Sequence, residues 1–219
     1  MAAQQKEQLL KVLVVGECGT GKTCLIRYYM HQSFQSTNKA TIGVDFALKV
    51  LPESNTTLQI WDIAGQERYG QMTRVYFLSA VGAMVVCEIN KPETYAAAIN
   101  WKKDVDSKAF LPGTAQTPIP CVLLLNKCDL DDSHMSDEQL DEFCKQHGFV
   151  AWYKVSAKNG DNVSTAFESL VDHVQEARAK ARAGAGEEAE RKDQNKTVQL
   201  GKRSAPKKKS EDTGGCCKK

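Results

Sequence analysis

A chain of 219 residues, 42% hydrophobic and 26% charged, is long enough for one folded domain with an appendage and has the composition of a globular protein. No run of 18 apolar residues occurs, which excludes a membrane-spanning helix. The charge is uneven, since residues 184–219 carry ten basic and six acidic side chains, whereas the other 183 residues carry 19 and 21.

The first residues, MAAQQKEQLL, lack the apolar region of a signal peptide, so we expect a cytosolic or nuclear protein with reduced thiols. The eight cysteines show no C-x-x-C pair with zinc spacing. We expect the first six to be small buried residues. Cys216 and Cys217, near the end of the chain, need another explanation.

Short apolar runs alternate with longer amphipathic stretches. Periodicity predicts strands at 9–15, 44–51, 57–63, 82–89, 121–126 and 151–157, and helices at 22–32, 92–108, 136–146 and 163–183. The strands on either side of PESNT alternate and form a hairpin. SDEQ from Ser136 is a capping-box pattern. The pattern predicts an α/β fold with a six-stranded, mostly parallel sheet, one antiparallel strand and helices on both faces.

From Gly184 onward, Ala, Gly, Glu, Lys and Ser dominate and little can be buried. This composition is typical of disordered segments. We therefore predict a folded domain at 1–183 and a disordered basic tail at 184–219.

GECGTGKT at 16–23 fits the phosphate-binding loop G-x-x-x-x-G-K-[ST], directly after a predicted strand and before a helix. Backbone N–H groups and the helix N-terminus would meet phosphate oxygens. Lys22 would reach the β- and γ-phosphates, and the Thr23 hydroxyl would bind Mg²⁺. The residues expected to contact the nucleotide here are Gly16, Cys18, Gly19, Thr20, Gly21, Lys22, Thr23 and Cys24.

WDIAGQE at 61–67 brings an acid to a strand end, where Asp62 can serve as a second Mg²⁺ contact. The Gly65 N–H can approach a γ-phosphate, and Gln66 can orient a water for in-line attack.

NKCD at 126–129 follows a buried strand, at the edge where α/β sheets bind ligands. The Asp129 carboxylate can accept hydrogen bonds from guanine N1–H and the exocyclic amine, a donor pair that adenine lacks. Asn126 would tie the loops together, and the Lys127 stem would cover a base face. Backbone N–H groups of Ser156, Ala157 and Lys158 can meet guanine O6.

These four motifs, in this order and spacing, resemble the Ras superfamily of small GTPases and, within it, the Rab family. The resemblance runs from about residue 9 to 180. WDIAGQERYGQMTRVYF, WKKDVDSK, LPGTAQTPIP and NKCD are similar to a Rab subgroup that serves lysosome-related organelles and mitochondria-associated membranes. The family implies the P-loop NTPase fold of a G domain, GTP or GDP with Mg²⁺, and a catalytic set of Lys22, Thr41 and Gln66.

The resemblance makes KATIGVDF at 39–46 the first switch and residues 64–77 the second. Thr41 would bind Mg²⁺ and the γ-phosphate only in the GTP state, and Phe34 would stack on guanine. Phe46, Trp61 and Tyr76 match the aromatic triad through which Rabs meet effectors, together with Ile42 and Ile63. Burial in the core remains an alternative for these aromatic side chains.

The chain departs from the family pattern at two positions. Cys18 stands where Gly or Ser is usual, and Ile63 replaces a threonine. We expect Cys18 to tune hydrolysis and Ile63 to alter switch packing and partner choice.

The terminal CCKK resembles the Rab form in which Cys216 and Cys217 both receive geranylgeranyl groups. The aliphatic pair of a C-a-a-X box is missing. Two lipids, or one lipid plus the basic PKKK at 206–209, give stable membrane attachment. A nuclear-localisation signal in GKRSAPKKK is the alternative.

The family implies a slow GTPase, with turnover on the order of 10⁻⁴–10⁻³ s⁻¹. Its partners would be GTP-state effectors, an exchange factor, a GTPase-activating protein, an escort protein with geranylgeranyl transferase, a dissociation inhibitor and the membrane, but no nucleic acid. The expected location is the cytoplasmic face of endosomal, lysosome-related or mitochondria-associated membranes, with a cytosolic inhibitor-bound pool. A module that holds GTP without hydrolysing it, or a nucleoside-phosphate kinase, remains open.

Overall fold

A six-stranded sheet forms the centre of the computed structural model, which describes residues 8–35, 40–69, 73–114, 116–130 and 133–200. Its strands lie in the order β2-β3-β1-β4-β5-β6, with β2 and β3 antiparallel and the other neighbours parallel. The strands are β1 (Gln8–Gly16), β2 (Val44–Leu51), β3 (Thr56–Ile63), β4 (Gly82–Glu88), β5 (Cys121–Asn126) and β6 (Ala151–Val155). The predicted α/β fold with one antiparallel strand is therefore confirmed.

Five α-helices accompany the sheet in the described part of the chain. They are α1 (Lys22–His31), α2 (Thr73–Phe77), α3 (Pro92–Lys108), α4 (Asp137–His147) and α5 (Val163–Leu200). Helix α4 begins with the predicted capping box, in which the Ser136 hydroxyl accepts from the Gln139 N–H and the Gln139 side chain accepts from the Ser136 N–H. The α2 helix was not predicted, because five residues are too few to show a helical period.

Helices cover both faces of the sheet, because the inner strands are apolar on both sides. On one face, Leu25 and Tyr29 of α1 pack with Phe167 of α5, and the Tyr29 and Phe167 rings stack with centroids 3.9 Å apart. On the other face, Trp101 of α3 and Phe143 of α4 form a second cluster. The helices on both faces leave open the carboxyl edge of the sheet, where β1, β3, β4 and β5 end together.

Helix α5 runs beyond the residues that its sequence predicts. We predict a helix from 163 to about 183 with an open end, since it could run on into the Glu/Lys-rich segment, and it continues to Leu200. Residues 184–200 contain Ala, Glu, Lys and Arg, which favour helix by intrinsic propensity, so composition does not fix where the helix ends. The described residues up to Arg182 form one unit, and those from Ala183 onward belong to a separate one. Residues 201–219 lie outside the described residues, and a disordered tail stays a prediction.

The described cysteines differ in burial more than the sequence predicts. All six described cysteines are free, but only Cys87, Cys121 and Cys144 are buried, whereas Cys18 is exposed. Cys24 and Cys128 are half-buried, so the prediction of six buried residues is wrong for three of them. Burial raises the pKa of the Cys121 and Cys144 thiols to about 12, which leaves them protonated and unreactive. In the part of the chain that the structure describes, no helix has the length and apolar character to cross a membrane.

Candidate functional site

A cleft of about 600 Å³ opens at the carboxyl edge of the sheet. Its walls contain most of the predicted nucleotide residues, namely Cys18, Gly19, Gly21, Lys22, Thr23, Cys24, Phe34, Thr41, Gly65, Gln66, Asn126, Lys127, Asp129, Ala157 and Lys158. Ala40, Ala64 and Leu130 also line it and were not predicted. Three predicted residues, Gly16, Thr20 and Ser156, are not among the residues that line the cleft.

The loop between β1 and α1 wraps around its own lysine. Lys22 is buried, and its Nζ donates to the carbonyl oxygens of Gly16 and Glu17, both at 3.0 Å. Burial lowers the pKa of Lys22, whereas the charge of Asp62 opposes that change. The ammonium group is therefore held by two main-chain carbonyls beside the N-terminus of α1, where an anion would be stabilised.

Two glycines let neighbouring segments approach the phosphate-binding loop closely. Gly21 precedes α1 with φ of +92°, and a Cβ there would overlap the Asn126 amide. Gly65 approaches the backbone of Glu17 and Cys18 so closely that any side chain would collide. The turn after β3 thus packs directly on the phosphate-binding loop.

Three oxygen groups converge beside Lys22. The Thr23 hydroxyl donates to Asp62 Oδ2 at 2.5 Å and lies 2.7 Å from the Thr41 hydroxyl. Asp62 is buried, which raises its pKa, and its Oδ1 has no hydrogen-bond partner among the described residues. A buried carboxylate oxygen without a partner, next to two hydroxyls, fits the hard oxygen ligands of Mg²⁺.

The predicted water-positioning residue is at the mouth of the cleft. Gln66 lines it and is exposed, so its amide is free to turn toward a bound phosphate. The Ala64 N–H donates to the Gly43 carbonyl at 3.0 Å, which ties the two predicted switch segments to each other. Residue 39 of the first segment and residues 70–72 of the second lie outside the described residues, as do residues 36–38.

The other end of the cleft is built from the loops after β5 and β6. Asn126 donates to the Thr20 carbonyl at 2.7 Å and accepts from the Ala157 N–H at 3.2 Å. Asp129 accepts from the Ser156 hydroxyl at 2.7 Å and lies 3.7 Å from the Lys158 ammonium. These bonds hold the Asp129 carboxylate in the wall of the cleft.

Sequence reasoning missed Glu88, whose carboxylate pairs with Lys127 Nζ at 2.7 Å. The signal was present, since Glu88 is the one charged residue at the end of the apolar run GAMVVCE. A carboxylate is rarely fully buried unless it is paired, so an acid in such a strand indicates a partner.

The predicted effector surface is only partly exposed. Ile42 and Phe46 are 94% and 63% exposed. Trp61 and Tyr76 are half-buried, and the Trp61 ring lies 6.5 Å from Phe46 and 6.4 Å from Tyr76, measured between centroids. The three aromatic residues therefore form one continuous cluster.

Ile63 does not belong to this surface. Its side chain is fully buried in the cluster with α2 and α3, so the prediction that it contacts effectors directly is wrong. The alternation of β3 breaks at its end, where Asp62 faces the cleft and Ile63 faces the core, and both are buried. Any influence of Ile63 on partners must act through the packing of the switch.

Comparisons with known proteins agree with this geometry. The family model described as Ras family matches residues 11–176. Ras-related protein Rab-32 of Homo sapiens is 52% identical over 177 residues, which cover 79% of this chain and 78% of that protein. Rab-32A of Dictyostelium discoideum is 49% identical over 173 residues, 77% and 78% of the two chains, and human Rab-7L1 is 43% identical over 172 residues, 77% and 84%. The chain therefore belongs to the Ras family as a Rab-type small GTPase, an enzyme that hydrolyses GTP.

Proposed function

We propose that this chain is a membrane-tethered switch that binds guanine nucleotide in the cleft at the carboxyl edge of the sheet. The observation that carries the proposal is the cleft itself, with Lys22 and the Thr23–Thr41–Asp62 oxygens at one end and Asp129 at the other. One end suits phosphates and the other suits a guanine edge, and a cleft of this size accommodates a nucleotide.

At the phosphate end, Thr23, Thr41 and Asp62 would hold Mg²⁺. When bound there, the ion supplies positive charge that stabilises the phosphate oxygens. Lys22 and the backbone N–H groups of the loop hold the β- and γ-phosphates, and Gln66 orients the attacking water. Thr41 and Gly65 each belong to a switch segment, so loss of the γ-phosphate removes one contact from each and lets both segments relax.

We expect single-turnover GTP hydrolysis with Mg²⁺ to be slow in the wild-type chain and about tenfold slower in Gln66→Leu, because the variant cannot orient water. Gln146→Leu, an exposed glutamine on α4, is the matched control and should hydrolyse at the wild-type rate. Equal, near-zero rates in wild type and Gln66→Leu would instead favour a GTP-holding module or complete dependence on an activating protein.

The remaining parts of the proposal concern partners. The GTP-state effectors would dock on Ile42, Phe46, Trp61 and Tyr76, and an exchange factor and a GTPase-activating protein would act on the switches. An escort protein with geranylgeranyl transferase would deliver lipids to Cys216 and Cys217, which lie outside the described residues. A dissociation inhibitor would keep a cytosolic pool apart from endosomal, lysosome-related or mitochondria-associated membranes.

We expect replacement of both Cys216 and Cys217 by serine to move the chain from the membrane pellet to the soluble fraction of cells, since a basic tail alone binds membranes weakly. Cys128→Ser, which alters a half-buried cysteine of the folded unit, should remain in the pellet. A double variant that still sediments with membranes, or a wild-type chain concentrated in nuclei, would contradict lipid attachment.

A further inference from the structure

Glu88 is a buried acid that neither the phosphate chemistry nor the guanine edge requires. It is the last residue of β4, only 4% exposed, and pairs in the sheet with Asn126 at the start of NKCD. Its backbone N–H donates to the Thr94 hydroxyl at 3.0 Å, which fixes the strand end against α3. The buried carboxylate therefore extends from a fixed strand end beside the base end of the cleft.

Two lysines share this carboxylate. Lys127 Nζ lies 2.7 Å and Lys91 Nζ lies 3.1 Å from the same oxygen, Oε2. The lysines differ in where their stems lie, because Lys127 lines the cleft, whereas Lys91 is not among the residues that line it. The Lys91 side chain is also 49% exposed, compared with 33% for Lys127.

Lys127 needs an anchor for two reasons. Its backbone φ is +67°, in the left-handed region that a residue with a side chain rarely adopts. A lysine side chain has four rotatable bonds, so without a partner for its ammonium the stem would sample many rotamers. A buried carboxylate on a fixed strand end favours the few rotamers whose ammonium reaches it.

We propose that Glu88 is a positioning residue for guanine nucleotides, which anchors the Lys127 ammonium so that the lysine stem lies flat along the wall that covers the base. The inference deepens the proposed function and rests on its guanine site. Glu88 acts on the face of the base through Lys127, whereas Asp129 acts on its edge. The two acids therefore make separable contributions to nucleotide binding.

The test measures dissociation of fluorescent GDP from the full-length chain after preloading. We expect about tenfold faster release from Glu88→Ala, a smaller increase from Glu88→Gln, which keeps an acceptor at the same place, and release within about twofold of wild type from Lys91→Ala. In a Lys127→Ala background, Glu88→Ala should add less than about twofold, because the anchored side chain is already gone.

Fluorescent IDP separates positioning from general damage to the fold. Inosine lacks the exocyclic amine that Asp129 recognises but has the same base face. Glu88→Ala should therefore speed GDP and IDP release by the same factor, whereas a loop that collapsed would disturb Asp129 and change their ratio. Unchanged release from Glu88→Ala, or an equal effect with and without Lys127, would overturn the inference. A wild-type chain that fails to retain GDP would overturn the proposed guanine site itself.

Discussion

Replacing Asp129 with asparagine should reverse the base preference of the cleft from guanine to xanthine. The Asp129 carboxylate is held by Ser156 and Lys158 and offers two acceptors to the cleft. Guanine presents two donors, N1–H and the exocyclic amine, so each donor can bond to one oxygen of the carboxylate. An asparagine offers one acceptor and one donor, and its amide N–H₂ would then face the exocyclic amine.

We expect GDP affinity of Asp129→Asn to fall by about 10²–10³-fold, because one hydrogen bond is lost and two donors are left facing each other. Xanthine has a carbonyl at the position of that amine, so XDP should become the tighter ligand. Competition between GDP and XDP measures the exchange directly.

Asp172→Asn, at an exposed position on α5, is the matched control and should keep the preference for GDP. If Asp129→Asn kept the wild-type ratio of GDP to XDP affinity, this carboxylate would not determine base specificity.

The order of the elements could be predicted because each carries its own local signal. The β2–β3 hairpin follows from alternation on both sides of a turn, and its observed strands, Val44–Leu51 and Thr56–Ile63, lie within one residue of the prediction. The capping box at Ser136 is equally local. The end of α5 could not be placed from the sequence, because local helix propensity continues through the Glu/Lys-rich segment up to Leu200.

Contacts between segments that are distant in the sequence limit how much of the site can be predicted. The motifs identify residues that touch the nucleotide, since those spacings follow from phosphate and base chemistry. The pair between Glu88 and Lys127 joins residues 39 positions apart, and nothing local says which lysine an acid will meet. Ile63 was misassigned for a related reason, because the choice between cleft, surface and core at a strand end depends on which helix covers it.

Removing the Lys22 ammonium should weaken the binding of ligands that carry phosphates much more than the binding of the nucleoside alone. In Lys22→Ala we expect GDP and GTP affinity to fall by about 10²–10³-fold, since breaking a buried charge pair costs several kcal/mol. The side chain is buried inside its loop, and the carbonyl oxygens of Gly16 and Glu17 already fix its direction. Little entropy is therefore lost when a phosphate binds, which is why the expected effect is large.

Guanosine separates this effect from damage to the cleft. It has the base but no phosphate, so its weak binding to Lys22→Ala and to wild type should be equal when measured by nuclear magnetic resonance titration. Lys103→Ala, an exposed lysine on α3, should leave both GDP and guanosine binding unchanged. If guanosine binding fell as far as GDP binding, Lys22 would be supporting the whole loop rather than the phosphates. The two ends of the cleft would then be one cooperative structure, and the division of labour between Lys22 and Asp129 would be wrong.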